Sequence, residues 1–128
     1  MLTLNYGFIC DAATVSSDGK VNILGIFDGV NSRKFPLVCP RMTVVSNWKG
    51  DVSDYKLSLK LVGPGGKEVM SIPNMQAKIK HPGAKANILA DLNQLKIDQP
   101  GHYLFQFSID GQQEKFEIPL KVNEVKIQ

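Results

Sequence analysis

An antiparallel all-β sandwich over residues 1–128 is the fold this sequence predicts, and three observations predict it. Apolar and polar residues alternate over short runs, the period of strands that bury one face. Turn-forming pairs punctuate those runs about every 8–12 residues, the spacing of sandwiches and barrels. No stretch shows an amphipathic helical stripe with caps of normal length. Counting the runs gives eight or nine strands in one domain.

The elements follow in order. Leu2, Leu4, Tyr6, Phe8 and Cys10 alternate, which makes the N-terminus a strand; it has no basic region or long apolar run of a signal peptide. Asp18-Gly19 is a hairpin signal between that strand and a second one over residues 20–27 (KVNILGIF), which Asp28-Gly29 ends. Residues 35–48 are extended but interrupted by Pro36 and Pro40, so Met42 to Trp48 is the continuous part. Tyr55, Leu57, Leu59 and Leu61 alternate with Lys56, Ser58 and Lys60. Gly63-Pro64-Gly65-Gly66 is an emphatic turn, across which residues 67–72 pair back. Residues 75–80 form a short strand, His81-Pro82-Gly83-Ala84 turns again, and residues 86–92 lead onward. Residues 90–95 have room for one helical turn.

The end of the chain is the most legible part. Tyr103, Phe105, Phe107 and Ile109 alternate with polar residues, Leu104 excepted. Asp110-Gly111 tolerates positive φ and suits a tight hairpin turn. Phe116, Ile118, Leu120 and Val122 alternate in the returning strand. Pro119 cannot donate to a ladder, which puts that strand at an edge or gives it a bulge, and its place in the polar register favours the edge. Pro100-Gly101 ahead of Tyr103 resembles the tyrosine corner of immunoglobulin-like sandwiches, where the hydroxyl bonds back to upstream backbone. Phe105 then stands where an antibody domain has its second cysteine. An ordinary turn before an aromatic strand residue is the alternative.

Composition narrows the function classes. Hydrophobic residues are 43% and charged residues 21%, as in a water-exposed globular domain, and the net charge of +3 is too mild and too dispersed for nucleic acid. No run approaches the about 20 apolar residues of a membrane helix. A cytoplasmic location follows as the expectation, with Cys10 and Cys39 free and buried in a reducing compartment.

The stretches Phe8-Ile9-Cys10-Asp11-Ala12-Ala13 and Gly19-Lys20-Val21-Asn22-Ile23-Leu24-Gly25-Ile26-Phe27 resemble the opening of an uncharacterised bacterial family of unknown function. Phe35-Pro36, Pro100-Gly101-x-Tyr103 and Asp110-Gly111 fit the same pattern, so the resemblance runs over most of the chain. It implies a compact bacterial β-sandwich and no substrate, cofactor or catalytic residue.

The residues that carry chemistry are few. His81 and His102 have no visible partner, and Cys10 beside Asp11 lies in an apolar register that favours an inert thiol. Two histidines and two distant cysteines give no zinc spacing. Asp11, Asp18, Asp28, Asp51 and Asp54 fall in loops or at strand ends, as calcium ligands do in some sandwiches, yet Asp18 and Asp28 each precede Gly and are explained by turn chemistry. Gly63 to Lys67 lacks the helix a phosphate loop needs. Asp11 reads as a polar contact pinning the first hairpin.

The leading expectation is therefore a non-enzymatic interaction or assembly module without a cofactor. Its partner is another protein or a second copy through an edge strand, not nucleic acid or membrane. Trp48, near a loop, is the candidate interaction residue, with a cap on the core as the alternative. The rival is a small-molecule or calcium-binding sandwich, with weak hydrolytic activity, built on a pocket holding Asp11, Asp28 or His102.

Overall fold

Nine strands account for the fold, and they form in the places where apolar side chains can reach a shared interior. They are β1 (Leu2–Val15), β2 (Val21–Phe27), β3 (Gly29–Ser32), β4 (Leu37–Gly50), β5 (Ser53–Val62), β6 (Glu68–Ile79), β7 (Lys85–Ile97), β8 (Gly101–Ile109) and β9 (Lys115–Glu124). The structure is a computed structural model and describes residues 1–126. One sheet has the order β2-β1-β4-β7 and the other β3-β9-β8-β5-β6. Every pairing is antiparallel except β3 with β9. The expected all-β sandwich is thus the observed fold.

The interior lies between the two inner faces, as two packed sheets require. Met42, Val44 and Trp48 from β4 face Leu57, Leu59 and Leu61 of β5 and Phe105 and Phe107 of β8 in one cluster. Trp48 meets Phe107 and Phe116 edge-on, with ring centroids 5.1 and 5.4 Å apart, a favoured aromatic geometry. Its indole N–H donates to Ser46 Oγ at 2.8 Å, so its one polar atom is satisfied. Gly7 admits the close approach of β1 to β9: a Cβ there would stand 2.7 Å from Ile118 Cδ1. The Gln112 side chain ties the β8–β9 loop to the start of β1, accepting from Leu2 N at 2.7 Å and donating to Leu2 O at 3.0 Å.

The tyrosine corner is present. Tyr103 opens β8 with its ring buried, and its hydroxyl donates to the Gln99 carbonyl at 2.6 Å. Phe105, two residues on, is fully buried where a disulfide would stand in an antibody domain.

Several expected elements differ. Residues 90–95 are strand throughout and belong to β7, not to a helical turn. Residues 67–72 and 75–80 merge into β6, which holds one extra residue against β5 between Ile72 and Met75, where Asn74 has φ +59°. The Asp110-Gly111 turn is wider than a two-residue hairpin, because β8 ends at Ile109 and β9 starts at Lys115. β9 lies inside the sheet order, yet β3 covers it only from Lys121 to Glu124, so Pro119 sits on its uncovered part. Among the described residues no helix is long and apolar enough to cross a membrane.

Candidate interaction surface

β1 outruns its partner. Its ladder with β4 ends at Cys10 opposite Thr43, while its ladder with β2 continues to Val15 opposite Val21. The β1–β2 hairpin therefore extends past the body of the sheet, closed by the Ser16 to Lys20 turn. β2 is also the sheet's outer strand, so one side of its backbone has no strand beside it among the described residues.

That edge is apolar. Leu24 is 69% exposed and Ile26 63%, and Val15 at the end of the neighbouring β1 is 55% exposed. No residue from Val21 to Phe27 is charged and none is proline. The other edge strands carry the usual protections. β7 has Lys85, Asp91 and Lys96, β6 has Glu68, Pro73 and Lys78, and β3 is four residues long.

A second layer supports the hairpin. Cys10, Ala13 and Val45 are buried in a small cluster of their own, with Phe8, Val21, Ile23 and Leu89 packed around them. Beside it, Tyr6 stacks on Phe8 at 5.7 Å. A row of amides crosses the sheet, with Asn5 Nδ2 donating to Asn47 Oδ1 at 2.8 Å and Asn47 Nδ2 to Asn87 Oδ1 at 2.6 Å. Thr43 donates to Asp91 at 2.6 Å.

Two shallow hollows meet at the end of β2. One, of about 430 Å³, is lined by Gly7, Ile9, Phe27, Asp28, Ile118 and Pro119 among others. The other is lined by Asp11, Gly25 and Val30, and both share Ile26 and Phe27. Both are lined mainly by apolar residues and glycine, and each has one carboxylate in its lining.

The sequence-predicted residues are distributed as follows. Trp48 is fully buried, so it caps no interaction surface; it belongs to the core, because β4 directs it between the sheets. This corrects the expectation of an exposed anchor. Asp11 and Asp28 are exposed, each on one of the two hollows, and no described side chain hydrogen-bonds to either. The Asp11 carboxylate lies over Gly25 of the paired strand, and no described hydrogen bond ties it across the first hairpin. His102 is exposed on β8 opposite Lys121 of β9, whose N–H donates to the Asp28 carbonyl at 2.9 Å. Asp11 lies in the other sheet, and no described side-chain hydrogen bond or ion pair joins His102 to either aspartate. Among the described residues no three His, Cys, Asp or Glu side chains gather. Cys10 and Cys39 are both buried and unbridged, and burial pushes both thiols up, which suppresses the reactive thiolate.

Leu24 and Ile26 were missed by sequence reading. The signal that could have found them is the absence of any charge or proline through VNILGIF between Lys20 and Asp28, in a strand beginning right after a hairpin turn.

Comparison with known proteins adds a family and no activity. No curated protein matches the chain. A solved structure of Bifidobacterium dentium beta-glucuronidase complexed with coumarin-3-O-glucuronide is similar at 12% sequence identity and a TM-score of 0.45, covering 94% of this chain and 18% of that one. The chain thus spans under a fifth of that protein's length. The model of a Family of unknown function (DUF6941) matches residues 5–123, from within β1 to within β9, and the chain belongs to that family.

Proposed function

We propose that this chain is a non-enzymatic protein-interaction module, bacterial and cytoplasmic, that docks a protein along β2. The observation that carries the reading is the uncharged outer edge of β2, with Leu24 and Ile26 standing more than three-fifths exposed. Edge strands present unpaired N–H and C=O groups, and added strands bind there through main-chain hydrogen bonds while side-chain pockets select among them. The hollows lined by Ile26 and Phe27 would supply such pockets. The unbridged cysteines accord with a reducing compartment.

The test is capture by a tagged copy from cells that express the protein natively, at moderate salt, beside an Ile26→Asp variant. A protein captured by the wild type and lost with the variant is the expected result; an untagged copy of the same chain counts as such a protein. Capture of nothing, or capture indifferent to Ile26→Asp, would overturn the reading.

A further inference from the structure

We infer that residues 12–24, the far half of the β1–β2 hairpin, form a hinged arm. The arm pivots on Asp11 and Gly25, opens from the outer face of its sheet ahead of the rest of the fold, and in doing so uncovers Cys10. The inference concerns the free chain and needs no docked protein.

The two halves of the hairpin serve different faces. Neighbouring side chains along a strand point to opposite faces of the sheet. Ile9 and Val44 lie in the main core, which puts Cys10 and Val45 on the outer face. Ala13 shares the cluster of Cys10 although it is three residues on, an odd spacing, so β1 changes face between them. Ile23 packs against that same cluster and Phe27 against the main core, although they are four residues apart, an even spacing. So β2 changes face as well. Both intervals contain the point where the Asp11 carboxylate lies over Gly25, whose φ is +69°. Glycine adopts such a conformation freely, as a hinge position must. Cys10 with Ile26 and Ala12 with Leu24 remain paired on either side, so the far half stays a ladder in itself.

Little holds this arm to the body. β1 leaves its ladder with β4 after Cys10, and among the described residues β2 pairs only with β1. The hydrogen bonds and the ion pair that join Ser16, Asp18 and Lys20 close within the arm. Among the described residues one side-chain bond reaches it from outside: Cys10 Sγ donates to the Ala12 carbonyl at 3.4 Å, and also to the Thr43 carbonyl at 3.6 Å. The remaining attachment is apolar, through Ala13, Val21 and Ile23, and of these only Ala13 is buried while the other two are half-buried. A segment with so few buried contacts opens at a lower free energy than the whole molecule.

The test is alkylation of the full chain by iodoacetamide under native conditions, followed at each cysteine by mass spectrometry, beside hydrogen exchange of the same protein. Cys10 is fully buried, so its reaction reports an opening above it. The opening equilibrium read at Cys10 should exceed that read at the β8 amides by about tenfold or more. Low urea should leave the Cys10 opening nearly unchanged, since little surface is exposed when the arm alone lifts. Ile23→Ala, which trims a contact under the arm, should speed Cys10 alkylation roughly tenfold and leave Cys39 and the β8 amides as they were. Val21→Ala should act in the same direction, and Leu24→Ala, on an exposed position, should change neither. A Cys10 that matches the β8 amides in opening and in urea dependence is reached only by global unfolding, and overturns the inference. So does an Ile23→Ala chain in which Cys10, Cys39 and the β8 amides all speed up alike. A Cys10 that reacts early but ignores both Ile23→Ala and Val21→Ala overturns the arm as its cover.

Discussion

Tyr103 shows how one side chain can hold a corner of the sandwich. Its ring is buried and its hydroxyl donates to the Gln99 carbonyl, so the phenol is tied to the turn that delivers β8. Burial pushes its pKa above the ordinary 10.0, opposed by that hydrogen bond and assisted by the negative charge of Asp98. The folded state therefore keeps the phenolic proton to higher pH than the unfolded chain does. Stability from this group is fully present below pH 10 and is lost as pH rises through the raised value. Tyr103→Phe should cost about 1 kcal/mol at neutral pH, the net worth of a hydrogen bond. Urea unfolding from pH 7 to 11 should show a steeper alkaline loss in the wild type than in the variant. Equal slopes would assign the alkaline loss to other groups. Trp48 gives the contrasting case: a buried aromatic whose role is packing, with no surface left to offer a partner.

Elements were legible where alternation was unbroken. β5, β8 and β9 bury every second residue, so their period shows in the letters alone. The failures share a cause. Gln94 has φ +55° and lies opposite Pro40, and across that point Leu92 and Leu95 both reach the core, as do Cys39 and Met42 on the paired strand. A spacing of three between buried leucines mimics a helical turn, which is why residues 90–95 read as one. Asn74 does the same to β6. Positive φ is uncommon for every residue but glycine, Asn included despite its several-fold enrichment, so nothing in the sequence marks these positions strongly. Asp11 and Gly25 form a third such point. Gly25 has φ +69°, and a Cβ there would collide with the Asp11 carboxylate. Gly25→Ala should destabilise the chain by about 1–2 kcal/mol through backbone strain. Trimming the neighbour with Asp11→Ala should relieve the steric part and leave the conformational part. Chemical denaturation of the two single variants and the double variant measures the split; strict additivity would show that the carboxylate exerts no constraint on Gly25.

The whole molecule was legible as a sandwich and illegible as a surface. Burial follows from periodicity, but which strand ends up at an edge depends on sheet order, and that is set by pairings far apart in sequence, such as β4 with β7 and β5 with β8. Hence the lone tryptophan attracted notice while Leu24 and Ile26 did not. Their exposure also bears on thermal stability. Anything that binds the folded chain and not the unfolded one raises its melting temperature by mass action, and a protein docked along β2 would be such a ligand. A protein docked along β2 at a hundredfold its dissociation constant should add about 2.7 kcal/mol. In a domain of this size that corresponds to about 10 °C. Differential scanning calorimetry of the wild type with the captured protein should show that rise, and Ile26→Asp, on an exposed position, should melt within a few degrees of the free wild type with or without it. A wild-type melting temperature indifferent to the captured protein would mean that the edge of β2 does not hold it.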